Sequence, residues 1–127
     1  MSEAAEKPYP PELTPYVENW RRRNAEAAAE TARLEADAQE DARVVAAMLR
    51  RDFGATRVIL FGSLARGGFH AESDIDLAVA GIPPKGWFRA YSAANQLARH
   101  YRWVELFPLE ALDEHFLRRV LETGVEL

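Results

Sequence analysis

The chain contains no cysteine. Disulfides, thiolate zinc sites, iron–sulfur clusters and cysteine nucleophiles are therefore excluded. It also has no excess of positive charge: sixteen Lys and Arg stand against twenty Asp and Glu, a net charge of −4. That balance argues against direct nucleic-acid binding, which needs a positive surface. No stretch approaches the roughly 20 apolar residues of a membrane span. The opening MSEAAEKPYPPEL has no apolar core of a secretion signal. The expectation is a cytoplasmic protein without membrane attachment.

Glycine and proline are scarce, seven of each in 127 residues, and neither occurs from Tyr16 to Phe53. Thr14-Pro15 reads as a helix start and Gly54 as a helix end. A single helix over this span would be about 57 Å long. The acidic stretch from Glu35 to Asp41 is the place for a break, but no residue there forbids continuity. Val17, Trp20, Asn24, Ala27, Thr31, Leu34 and Ala38 form a narrow seam. It suits either a solvated helix held by pairs such as Arg22 with Glu26 or a contact with a second subunit or another protein. Val44, Val45, Met48, Leu49 and Phe53 make a broader apolar face expected in the core. Residues 1–40 thus read as an extended arm and helical extension, and 41–127 as the domain proper.

At 48 % hydrophobic and 28 % charged residues the composition is globular, and the size suits one small domain. Arg57 to Phe61 (RVILF) is a short apolar run expected of a strand buried on both faces. Ile75 to Ala80 (IDLAVA) reads as a second strand and Arg102 to Phe107 (RWVELF) as a third. Trp87 to His100 and Glu110 to Glu122 have helical spacing. The second helix carries Leu112, Phe116, Leu117, Val120 and Leu121. The order predicts an α/β (α+β) domain, a small mixed sheet of three to four strands packed on helices, with a long N-terminal helix.

The segment LFGSLARGGFHAESDIDLAV, residues 60 to 79, carries the chemistry. A strand ends at Phe61 and turns at Gly62-Ser63. Glycine lets an anion approach the backbone, and a following helical turn offers free N–H groups beside the Ser63 hydroxyl. Asp74 and Asp76, two apart at the start of the next strand, project to one face. Two adjacent carboxylates repel each other unless a cation or proton lies between them, and oxygen ligands of this kind suit Mg²⁺.

This segment resembles the signature of the nucleotidyltransferase superfamily related to DNA polymerase β, and most closely its smallest members, the minimal nucleotidyltransferases (MNT domains). The resemblance covers roughly residues 41 to 127. It implies the nucleotidyltransferase fold, with Gly62 and Ser63 holding the β and γ phosphates. Asp74 and Asp76 would hold two Mg²⁺ ions bridging to the triphosphate of ATP. The third carboxylate falls to Glu105, the acidic residue of the third strand, where most members carry aspartate. The implied reaction transfers AMP from ATP to a partner hydroxyl, as in MNT antitoxins that modify a HEPN-type toxin protein. Two further readings stay open: a binding module that neutralises a partner by occlusion, favoured by glutamate at 105, and transfer to a small molecule of the aminoglycoside type. A dimer through the N-terminal helix is a further possibility.

Arg66 suits either a phosphate oxygen or an ion pair with Glu72. Ser73 is expected to shape the turn before Asp74, and His70 to be solvated. His100 and His115 lack ligand spacing. Trp87, Phe88 and Tyr91 read as core, and the basic runs Arg21–Arg23, Arg50-Arg51 and Arg118-Arg119 as solvated faces.

Overall fold

The computed structural model describes residues 7–98, 100 and 103–127. A 3₁₀ turn at Pro11–Leu13 leads into α1, Thr14–Phe53, an unbroken 40-residue helix about 60 Å long. Thr14 is not the cap: the preceding turn already sets helical dihedrals at Leu13, and no side chain caps the helix start. Gly54 ends the helix at φ +77°, a left-handed conformation that glycine adopts without steric cost. Every residue from Glu18 to Arg33 is exposed, so the first half of α1 projects from the body. Arg22 donates there to Asn19 rather than pairing with Glu26, and Arg33 pairs with Glu30 at 3.4 Å.

The remaining elements are β1 (Arg57–Phe61), α2 (Ser63–Arg66), β2 (Ile75–Ala80), α3 (Trp87–Leu97), β3 (Val104–Pro108), α4 (Glu114–Thr123) and β4 (Val125–Glu126). The sheet order is β3-β2-β1-β4. β1 is antiparallel to β2 and β4, and β2 is parallel to β3. A parallel pair needs a crossover, and α3 supplies it. The expected mixed sheet is therefore present with four strands. The expected start of the third strand at Arg102 and the first six residues of the arm lie outside the described residues.

Side-chain alternation divides the core in two. Val58 and Leu60 of β1, Ile75, Leu77 and Val79 of β2, and Val104 and Leu106 of β3 face α1 and α3. There they meet Ala38, Ala42, Val45, Leu49, Ala90 and Ala94. Ile59, Phe61 and Ala78 face the other way, onto Val120 of α4, with Phe107, Phe116 and Leu117 packed at the edge. Full burial of a Leu or Val side chain contributes about 1.5–3 kcal/mol, so both sheet faces contribute to holding the strands.

Several expectations on facing are corrected. Val44, Phe88 and Leu121 are exposed rather than buried. Val44 and Leu121 lie about 100° round their helices from buried Val45 and Val120, and Phe88 lies about 160° from buried Ala90. α3 stops at Leu97, short of His100, and α4 begins later than Glu110. Leu109–Ala111 form a 3₁₀ turn, after which Asp113 accepts from the Phe116 N–H at 2.8 Å and caps α4.

Asp41 is the buried charged residue of the described core. Its carboxylate accepts from the His100 backbone N–H at 2.7 Å and meets the His100 ring Nδ1 at 3.2 Å. The acidic stretch proposed as a helix break thus contains a tie between α1 and the chain after α3.

Candidate active site

The candidate site lies where β1 ends and β2 and β3 begin. Phe61, the last residue of β1, is the register partner of Asp76 in β2, and Asp76 is in turn the partner of Glu105 in β3. Alternation then puts Asp76 and Glu105 on the α4 side of the sheet while Ile75 and Val104 enter the α1 core. Three phenylalanines floor this side. Phe61 meets Phe107 at 5.3 Å and Phe116 at 5.7 Å, edge to face. Such contacts fix the ends of the strands that carry the carboxylates.

Gly62 follows at φ +80°, ψ −156°, a backbone region that side chains rarely adopt. A Cβ there would lie 3.3 Å from the Asp76 Cγ and collide with its Oδ2. Glycine is therefore required twice over, by conformation and by the approach of Asp76. The Gly62 carbonyl accepts from the N–H groups of Ala65 and Arg66, at 3.2 and 3.0 Å, which closes the short α2 turn. Ser63 opens that turn and is partly exposed.

Asp76 is half-buried, and its pKa is pushed up to about 6. Burial is the largest cause, followed by repulsion from Asp74 and then Glu105; Arg66 opposes them. All four groups therefore share one electrostatic neighbourhood. Asp74 lies just before β2 and is exposed, so it flanks the pair instead of opening the strand as the sequence suggested. Glu105 Oε2 accepts from the Trp103 indole at 3.0 Å, and Trp103 packs edge-on against Tyr91 with ring centroids 5.9 Å apart. Burial, then the charges of Glu105 and Asp74, raise the Tyr91 pKa above its ordinary value.

Among the described residues no three His, Asp or Glu side chains already stand at metal-ligating spacing. The donor set still suits a hard divalent cation: mutually repelling carboxylate oxygens, one held near pKa 6, beside a backbone turn that a Cβ would fill. Asp74, Asp76 and Glu105 are the residues that would hold it.

A cleft of about 200 Å³ opens next to Asp76 between the glycine turn and α4. Gly62, Arg66 and Asp76 line one wall, and Phe116, Arg119 and Thr123 the other. Arg66 has its Nε 3.4 Å from the Gly62 carbonyl and no ion pair with Glu72 among the described residues. Arg119 was expected on a solvated face. It is exposed, but borders the cleft, while Arg118 turns away to Glu114 at 3.7 Å. No sequence spacing links residue 119 to the Gly-Ser turn; only the packing of α4 on the sheet brings them together.

Elsewhere the local expectations hold. Ser73 Oγ accepts from the His70 N–H at 3.1 Å and shapes the turn before Asp74. His70 Nδ1 accepts from the Glu72 N–H at 3.1 Å.

A glycine turn pressed against a carboxylate strand, on a small mixed sheet backed by helices, defines a nucleotidyltransferase-type domain. The family model described as "Polymerase beta, Nucleotidyltransferase" matches residues 44–127, and the chain belongs to that family. A solved structure described as "Structure of putative minimal nucleotidyltransferase" is similar at 28 % identity and a TM-score of 0.59, covering 70 % of this chain and 91 % of that one. No curated protein matches the chain. The family match begins inside α1, so the projecting half of that helix precedes it. No helix among the described residues is long and apolar enough to cross a membrane.

Proposed function

We propose that this chain transfers a nucleoside monophosphate, AMP from ATP, to a hydroxyl on a partner protein, with two Mg²⁺ ions at Asp74, Asp76 and Glu105. The observation that carries the reading is the close approach of Gly62 to Asp76, whose pKa is raised by burial and then by Asp74 and Glu105. That arrangement calls for positive charge beside the turn that would receive the triphosphate. Magnesium, when bound, neutralises polyphosphate charge and lowers the pKa of the attacking hydroxyl. Gly62 and Ser63 offer the phosphates a close backbone and a hydroxyl donor. The acceptor oxygen bonds to the α-phosphorus, the bond from that phosphorus to the bridging oxygen breaks, and pyrophosphate leaves. The hydroxyl proton passes to solvent or to a site carboxylate. The protein contributes position and fixed charge.

In this reading the acceptor hydroxyl is carried by the partner protein. The projecting half of α1 is a surface for such a partner, and a HEPN-type toxin is the partner class that the family resemblance suggests. Incubation of the protein with ATP labelled in the α-phosphate, Mg²⁺ and a candidate partner tests the reading. Label should reach the partner with wild type and not with Asp74→Ala/Asp76→Ala; transfer by that double variant at the wild-type rate would end it.

The Trp103 bond to Glu105 favours a second reading, in which the site binds nucleotide but the partner is neutralised by occlusion. Partner inhibition that persists in the double variant selects it.

A further inference from the structure

We infer that Arg119, reaching across from α4, joins Arg66 in a two-arginine clamp on the polyphosphate of the nucleotide. This rests on the nucleotide-binding reading above and adds a residue from outside the Gly-Ser and Asp-x-Asp segments. The cleft between the glycine turn and α4 has Arg66 on one wall and Arg119 on the other. Asp76 is its acidic lining residue, with Asp74 and Glu105 close enough to act on it, so Arg66 and Arg119 are the cleft's own cations for an anionic ligand.

The placement of Arg119 follows from helix geometry. Phe116, Arg119, Val120 and Thr123 recur at the spacing of one helix face. Val120 is buried against the sheet and Phe116 packs on Phe61, which fixes that face toward the cleft. Arg118, one position earlier, is turned away by about 100° and pairs with Glu114. Neither Arg66 nor Arg119 has an acidic ion-pair partner within 4 Å among the described residues. Guanidinium groups bind phosphate oxygens in bidentate fashion. The cleft volume of about 200 Å³ is below the roughly 300 Å³ at which pockets begin to enclose a whole small ligand. It suits a phosphate tail, with the nucleoside outside.

Titration calorimetry with the full chain in Mg²⁺ tests the clamp, using ATP, AMP and inorganic tripolyphosphate against wild type, Arg119→Ala, Arg119→Lys and Arg118→Ala. Loss of a charge-assisted contact should weaken ATP and tripolyphosphate about tenfold in Arg119→Ala. AMP binding should stay within about twofold. Arg119→Lys should recover part of the loss, and Arg118→Ala should bind like wild type. Unfolding curves recorded alongside should coincide, since Arg119 is exposed. ATP binding unaltered by Arg119→Ala, a loss of AMP equal to that of ATP, or an equal loss in Arg118→Ala overturns the clamp and leaves the nucleotide reading standing. Wild type that takes up none of the three overturns both.

Discussion

Asp76 and Glu105 are register partners across the parallel β2–β3 pair, and Gly62 lies close enough to Asp76 that no other residue fits there. Three elements distant in sequence thus converge because two strands pair and one turn has no side chain. The burden of the site falls on Asp76, which feels burial and two other carboxylates at once.

Gly62→Ala tests this packing most directly. The alanine must hold a positive φ, and its Cβ must displace the Asp76 carboxylate. A strained φ of this kind costs on the order of 1–3 kcal/mol, visible as a lowered denaturant midpoint. Mg²⁺-dependent ATP binding should fall with it. Wild-type binding and stability in this variant would show that the turn tolerates a side chain.

Asp76→Asn should separate stability from binding. With its folded-state pKa raised to about 6, Asp76 holds more protons in the folded than in the unfolded chain between about pH 4 and pH 6. Its contribution to stability therefore falls as pH rises through that window and stays low above it. Asparagine removes the penalty, so the variant should be more stable than wild type at pH 8 without Mg²⁺. The gain should be about 1 kcal/mol, less than the full shift because water screens a half-exposed group. Mg²⁺ binding by wild type should weaken below pH 6 as Asp76 protonates, and the variant should bind poorly at every pH. Melting curves and calorimetry across pH 4 to 8 check both.

The tie between buried Asp41 and His100 gives a second window of the same sign at higher pH. Its hydrogen bond to Asp41, aided by the charges of Asp37, Asp41 and Glu40, raises the His100 pKa against a smaller opposing effect of burial. The stabilisation is fully present below about pH 6.5 and is lost as pH rises through the higher folded-state value. Asp41→Asn should flatten this alkaline loss in plots of melting temperature against pH. Asp41→Ala leaves the His100 backbone N–H without its acceptor and should cost about 1–3 kcal/mol. A wild-type pH profile in Asp41→Asn would assign the alkaline loss to other groups.

How much of this was legible in the sequence depended on whether the signal was local. β1 and β2 run over the residues expected, because strands buried on both faces read as apolar runs with clear ends. The two-residue β4 has no pattern to read and exists only through its pairing with Ile59 and Leu60. Gly62, Ser63, Asp74 and Asp76 stood out by spacing along one segment. Glu105 came from the resemblance, and only the β2–β3 register places it beside Asp76. Arg119 reads as part of a solvated basic run and Asp41 as part of an acidic stretch, because what they meet, the glycine turn and His100, lies far away in sequence. Phe88 and Val44 were misread because apolar character does not fix which side of a helix meets the sheet.

Ala29→Pro probes the projecting half of α1. Proline in a helix interior removes a hydrogen bond and clashes with the preceding turn, at about 3 kcal/mol or more. If that segment belonged to the cooperative fold, the loss would appear in global unfolding. Every residue from Glu18 to Arg33 is exposed, so the break should instead stay local. Circular dichroism should lose helical signal, while the melting of the sheet domain and its ATP binding should remain as in wild type. Transfer to a partner docked on this helix should drop. A helix that acts only as a solvated extension predicts unchanged transfer, whereas a fall in domain stability would place the segment in contact with something in the folded protein, a second copy being the first candidate to check by sedimentation.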